Sequence, residues 1–232
     1  MSMGAGVTKC VTMIVRLASR LRRRLALRKF EHSERYWVDR YKHGGNSGAG
    51  SYGKFAEFKA RVLNDFVASH GVETVIEFGC GDGNQLALAQ YPRYLGFDIS
   101  QAAVDQCKLR FREDSTKSFV LLADYSEQKA DLALSLDVIY HLVEDHVYEA
   151  HMQSLFTAGD QYVIVYSSDT EPNAKTSPHV RHRRFTDWVA DSAASRWQLV
   201  NRVPNDYPGS ETGDPKTVSF AEFFIFEKRP NQ

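Results

Sequence analysis

Apolar positions along this 232-residue chain follow two rhythms. Residues 31–42 read as a short helix with an aromatic face made by Tyr36, Trp37 and Tyr41. Residues 54–69 repeat Phe55, Phe58, Val62, Phe66 and Val67 at three- and four-residue spacing, which predicts a longer helix. Thereafter, short apolar runs at 73–78, 93–97, 119–123, 132–136 and 162–166 alternate with helical stretches at 84–90, 101–112 and 144–156. Apolar strands alternating with helices predict βαβ units and a buried parallel sheet. A further helix is expected at 186–195, capped by Thr186, and then strands at 197–203 and 217–227. The link between these two, 204–215, is rich in Pro, Gly and Asp and has no room for a crossover helix. The last pair should therefore be antiparallel. The expected fold class is α/β, a seven-stranded, mostly parallel sheet closed by a C-terminal antiparallel hairpin.

The chemistry concentrates where the first strand ends, in Glu77-Phe78-Gly79-Cys80-Gly81-Asp82-Gly83. Alternating glycines between a strand and a following helix let a ligand touch backbone where any Cβ would collide. A dinucleotide site would carry GxGxxG, but residue 84 is Asn, and Asp82 is a poor neighbour for pyrophosphate. Glu77 and Asp82 suit a ligand with positive groups and no phosphate; S-adenosylmethionine, with its sulfonium and α-ammonium, is such a ligand. The second strand ends at Asp98-Ile99, where a carboxylate can accept both ribose hydroxyl protons. Asp124-Tyr125 follows the third strand, where a short polar side chain can meet the adenine edge.

These residues resemble the class I S-adenosylmethionine-dependent methyltransferases over about residues 54–227. Residues 77–83 match that family's first motif, Asp98 its ribose acid and Asp124 its adenine position. The resemblance implies a Rossmann-like fold with cofactor contacts from Tyr52, Glu77, Gly79, Gly81, Gly83, Asp98, Ile99, Asp124, Tyr125 and Leu136. The glycine-rich segment 44–52 also looks like a subgroup of bacterial polysaccharide-modifying enzymes. That narrower likeness, to methyltransferases of methylmannose polysaccharide synthesis, implies a magnesium-dependent homodimer.

Charge sharpens the organisation. The formal net charge is zero, yet residues 1–30 carry eight Lys and Arg and no acid, so the other 202 residues hold 21 basic and 29 acidic side chains. Three regions are expected: a leader at 1–30, a helix with a glycine-rich lid at 31–53, and the methyltransferase domain at 54–232. As a helix, the leader places Val11, Ile14, Ala18, Leu21 and Leu25 on one face with arginines opposite. It reads either as a peripheral membrane contact or as a disordered extension. An acidic body argues against a nucleic-acid partner. Three cysteines without CxxC spacing, and no run long enough to span a membrane, point to the cytoplasm.

Methyl transfer to a sugar hydroxyl requires a general base or a metal ion to help the nucleophile. Strand C-termini border the cofactor crevice in this architecture, which brings forward the run 135–145 after the fourth strand. His141 is the candidate base, against the alternative of a packing histidine. Asp137, also at that strand end, is the second candidate catalytic group, and with Asp169 a candidate Mg²⁺ ligand, against the alternative of two ordinary loop acids. Tyr140, Arg181 and His182 are candidate substrate contacts, with the alternative that the cluster at 179–184 is a solvated face offsetting the acidic body, and Tyr36, Trp37 and Tyr41 either stack on sugar faces or pack on the core. The expected function is O-methylation of a carbohydrate hydroxyl. The rivals are O-methylation of a phenolic or other small metabolite, and a non-catalytic scaffold that only binds the cofactor.

Overall fold

A computed structural model describes residues 30–171, 177–210 and 213–230. The basic leader assigned to 1–30 lies, but for Phe30, outside the described residues. Seven strands form one sheet: β1 (Thr74–Phe78), β2 (Arg93–Asp98), β3 (Lys117–Leu121), β4 (Ala130–Leu136), β5 (Gly159–Ser167), β6 (Trp197–Val203) and β7 (Glu222–Lys228). Their order is β3-β2-β1-β4-β5-β7-β6. β1 to β5 pair in parallel and the last two strands pair antiparallel, as the sequence predicts; β7 inserts between β5 and β6, antiparallel to both. The chain reverses its direction of travel across the sheet between β1 and β4, so the crevice opens at their C-terminal ends.

Strand alternation divides the core. Val75, Leu132, Leu134, Ile164, Phe223 and Ile225 face one side, where α2 (Gly53–His70) and α3 (Gln101–Arg110) cover them. Ile76, Ala133, Val163, Val165, Phe224 and Phe226 face the other, beneath α4 (Asp145–Ala158) and α5 (Phe185–Ser192). Successive residues are apolar because both faces are covered. α1 (Ser33–Lys42) stands outside these layers. It is tied to the start of α4, with the Ser33 amide and hydroxyl donating to the Glu144 carboxylate at 3.0 and 2.6 Å.

Three expectations are corrected. The helix expected at 84–90 is only a 3-10 turn at Leu86–Leu88, because Asn64 of α2 binds both its end and the chain beyond it: its amide donates to the Leu88 carbonyl and its oxygen accepts from the Gln90 amide. Thr186 does not cap α5; the helix begins at Phe185, and Asp169 caps it instead, accepting from the Thr186 amide and hydroxyl at 3.1 and 2.8 Å. The strand expected from 217 starts only at Glu222, because Asp214 holds residues 217 and 218 in a turn through its carbonyl.

Candidate active site

The C-terminal ends of β1, β2 and β4 enclose a cleft, and the N-terminal segment roofs it. Its walls are Glu77, Gly79 and Gly81 after β1, Asp98 and Ile99 after β2, Leu122 after β3, and Leu136, Asp137, Val138 and His141 after β4. Trp37, Tyr41, Ser47 and Ser51 form the roof, while Lys59 and Gln85 contribute from below.

The glycine loop owes its shape to left-handed backbone at Gly79, Gly81 and Gly83, with φ of 95°, 59° and 69°. At Gly81 space matters as well, since a Cβ would fall on the Ser47 hydroxyl and within 2.9 Å of the Tyr41 hydroxyl. Asp98 fixes the loop from beneath: its carboxylate accepts from the Gly81 amide at 3.0 Å and the Ser100 amide at 2.9 Å. Burial pushes the Asp98 carboxyl up to about 6, with these backbone amides opposing. Glu77 is more perturbed. Burial raises it to about 7, despite the Tyr94 hydroxyl that donates to it at 2.5 Å and the nearby Lys59. Two buried carboxyls held chiefly by neutral donors form a cradle for a ligand bearing hydroxyls and positive charge.

The segment 44–53 closes over this loop. The Ser47 amide and the Tyr52 hydroxyl both donate to Asp82 Oδ2, at 3.0 and 2.7 Å, and the Asp82 amide donates back to the Ser47 hydroxyl at 3.1 Å. Asn84 donates its own amide to Asp82 Oδ1 at 3.0 Å and its side chain to the Ser51 carbonyl at 2.7 Å. Burial works to raise the Asp82 pKa, but these hydrogen bonds outweigh it and hold the carboxyl below its ordinary range. Asp82 and Tyr52, expected to face a ligand, instead fasten the lid.

His141 lies on a 3-10 turn at Ile139–His141 with its ring at the cleft. Nδ1 meets the His179 carbonyl at 3.0 Å, so that nitrogen carries the proton and Nε2 is the acceptor. Burial drives the imidazole down to about 4, which leaves it neutral at physiological pH. Trp37 stands edge-on to it with ring centroids 4.8 Å apart.

Other expected site residues are placed elsewhere. Asp124 is exposed and Tyr125 packs edge-on against Phe78 and Phe97; neither lines the cleft, where Leu122 stands instead. Gly83 turns towards α3, where a Cβ would meet Phe111 and Cys107. Tyr140 is buried behind the cleft, donating to Asp137 Oδ1 at 2.8 Å. His182 is buried against the Ser168 hydroxyl at 2.6 Å. Arg181 binds the Val143 carbonyl and Asp145, which ties the 177–184 segment to the start of α4.

The expected magnesium site does not fit the donor set. Both oxygens of Asp137 are engaged, one by Tyr140 and the other by Lys59 Nζ at 2.6 Å. Both oxygens of Asp169 cap α5. Among the described residues, no three His, Cys, Asp or Glu side chains cluster as metal ligands.

Two ionisable cleft residues escaped the sequence reading, Lys59 and His151. Lys59 is fully buried and falls within the apolar stripe of α2, four residues after Phe55 and three before Val62. His151 is buried on α4 between Tyr148 and Leu155, its Nε2 2.9 Å from the Ser135 hydroxyl. A polar residue inside a helical apolar stripe was the available signal for both.

No helix among the described residues is long and apolar enough to cross a membrane. No curated protein matches the chain. Several solved structures share its fold. The N-methyltransferase NodS from Bradyrhizobium japonicum, in complex with S-adenosyl-L-homocysteine, aligns over 86% of this chain and all of its own with 15% identity and a TM-score of 0.65. Magnesium protoporphyrin IX methyltransferase from Synechocystis, with the same nucleoside bound, covers 82% of this chain and 94% of its own at 15% identity and a TM-score of 0.59. The methyltransferase domain of a bacterial Hen1 covers 74% and 97% at 21% identity, with a TM-score of 0.56. A family model described as a methyltransferase domain matches residues 16–204, most of the chain, and the protein therefore belongs to the methyltransferase-domain family.

Proposed function

We propose that the protein is an S-adenosylmethionine-dependent O-methyltransferase whose acceptor is a sugar hydroxyl. The cofactor supplies an electrophilic methyl group on a sulfonium. The chain supplies Glu77 and Asp98, the glycine loop that admits backbone contact, and a lid that excludes water. The observation that carries the acceptor reading is His141, a neutral imidazole at the cleft whose Nε2 can accept a hydroxyl proton. With Nδ1–H held by a carbonyl, the ring is fixed in the tautomer a base requires. Trp37 and Tyr41, both lining the cleft, offer aromatic faces for sugar C–H groups.

A second reading, transfer to a phenolic hydroxyl, is favoured by the depressed basicity of His141, because a more acidic hydroxyl needs less help. A methyl-transfer screen over mono- and oligosaccharides, simple phenols and simple amines, with and without EDTA, separates them. The expected result is a sugar methyl ether formed equally with and without chelator. Transfer to phenols alone overturns the sugar assignment, and transfer to amines alone overturns O-methylation. In the same assay His141→Gln should lower kcat about 10- to 100-fold while leaving S-adenosylhomocysteine affinity within about twofold. Unchanged kcat removes His141 from the reaction.

A further inference from the structure

Lys59 is a fully buried cation in a place where the pattern of α2 calls for an apolar side chain. A buried ion pair generally contributes no more to stability than well-packed apolar residues of the same volume, so its presence asks for a reason beyond folding. Its ammonium has three N–H donors. Among the described residues it makes one hydrogen bond, to Asp137 Oδ2 at 2.6 Å, and otherwise lies 5.2 Å from the centroid of the Tyr166 ring. Buried donors are normally paired, so the remaining N–H groups call for an acceptor.

Its partner is equally unusual. Asp137 is a non-glycine residue at φ 59°, its backbone amide donating a hydrogen bond to the Tyr166 carbonyl at 2.9 Å. Both residues border the cleft, beside Gly79 and Val138. The lid reaches the same carboxylate, since a Cβ on Gly50 would stand 2.9 Å from Asp137 Oδ2. Among the described residues that line the cleft, the carboxyls are Glu77, Asp98 and Asp137, and Lys59 is the only Lys or Arg. A nucleoside carrying an amino-acid end brings one carboxylate and one ammonium. Among the described residues of the cleft, only Lys59 offers that carboxylate a positive side chain.

We propose that the Lys59–Asp137 pair is the receptor for the amino-acid end of the cofactor, Lys59 taking the α-carboxylate and Asp137 the α-ammonium. The inference rests on the cofactor assignment above and gives a function to a carboxylate that does not fit a metal site. The two charges of the ligand replace the contact the two side chains make with each other, so neither buried charge loses its partner on binding.

Calorimetric titration of the full chain with three nucleosides tests it: S-adenosylhomocysteine, its decarboxylated analogue, and 5′-methylthioadenosine, which lacks the whole amino-acid end. The wild type should bind S-adenosylhomocysteine at least tenfold more tightly than the decarboxylated analogue. Lys59→Met should abolish that difference and leave 5′-methylthioadenosine affinity within about twofold, which also reports that the variant is folded. Equal wild-type affinity for the first two ligands overturns the proposal without any variant, and so does a Lys59→Met variant that weakens all three alike. A wild type that binds none of the three refutes the cofactor reading itself, a distinct outcome.

Discussion

Replacing Asp82 by Asn tests whether the lid and the cofactor loop act as one unit. Asp82 is 6% exposed and accepts three hydrogen bonds, from the Ser47 amide, the Tyr52 hydroxyl and the Asn84 amide. Two of these come from the lid and converge on Oδ2. Asparagine keeps the volume but presents a carbonyl on one side only. If its oxygen stays with Asn84, the new NH₂ faces the Ser47 N–H, and a donor opposes a donor. The Tyr52 hydroxyl can reverse and accept; the Ser47 amide cannot. Hydrogen bonds to a charged acceptor are worth about 1.5–3 kcal/mol, and an unsatisfied buried donor costs about 1–3 kcal/mol. With partial rescue by Tyr52, lid closure should lose about 2–3 kcal/mol. Expressed wholly as affinity, that is a rise in the Kd for S-adenosylhomocysteine of about 30- to 150-fold. Calorimetry reads the Kd, and hydrogen exchange reads residues 44–53 in the free protein, where protection should fall. The reasoning is refuted if exchange accelerates over 44–53 while Kd stays within twofold, because the lid would then be open without consequence for the ligand. Unchanged exchange and unchanged Kd refute the latch itself.

Two further outcomes follow from the same geometry. Gly81→Ala places a side chain at φ 59° and drives it into the Ser47 and Tyr41 hydroxyls, so nucleoside binding should be lost while far-ultraviolet circular dichroism stays native; Gly81→Ala/Ser47→Gly, which removes the main obstacle, should recover part of the affinity. Glu77 and Asp98, raised to about 7 and about 6, favour the ligand-free fold most below their ordinary pKa values, and that contribution is lost as pH rises through 6 and 7. A cationic nucleoside favours their ionised forms, so binding at pH 6 should release protons, measurable by calorimetry in buffers of different ionisation heat. The ligand-induced rise in Tm should grow between about pH 5.5 and 8, and net proton uptake would contradict the assignment.

How much of this was legible in the sequence varied with the range of the interactions involved. The parallel core was readable because burial on both faces leaves a near-continuous apolar run, as over residues 162–166 of β5. The glycine loop was readable because its backbone requirement is local. The stretch 84–90 misled because its periodicity is helical, while a contact spanning 24 residues in sequence, Asn64 with the Leu88 carbonyl, decided otherwise. Asp169 and Arg181 have the composition of site residues, yet their partners, Thr186 and the start of α4, are fixed only by tertiary packing. Asp82 carried the right charge in the right loop, and only the folded lid shows that the charge is directed at Ser47 and Tyr52. Lys59 breaks an apolar stripe, a signal that went unread, and nothing local named Asp137 as its partner.

The hold of Asp98 on the Gly81 and Ser100 amides has a thermodynamic consequence. A loop already fastened before any nucleoside arrives has surrendered its conformational entropy during folding, so association does not have to order it again. Affinity then depends on how well the sheet keeps β1 and β2 in register, where Phe78 sits opposite Phe97. A substitution deep in the core that touches no ligand can weaken binding by loosening the loop, and it should do so mainly through a less favourable binding entropy.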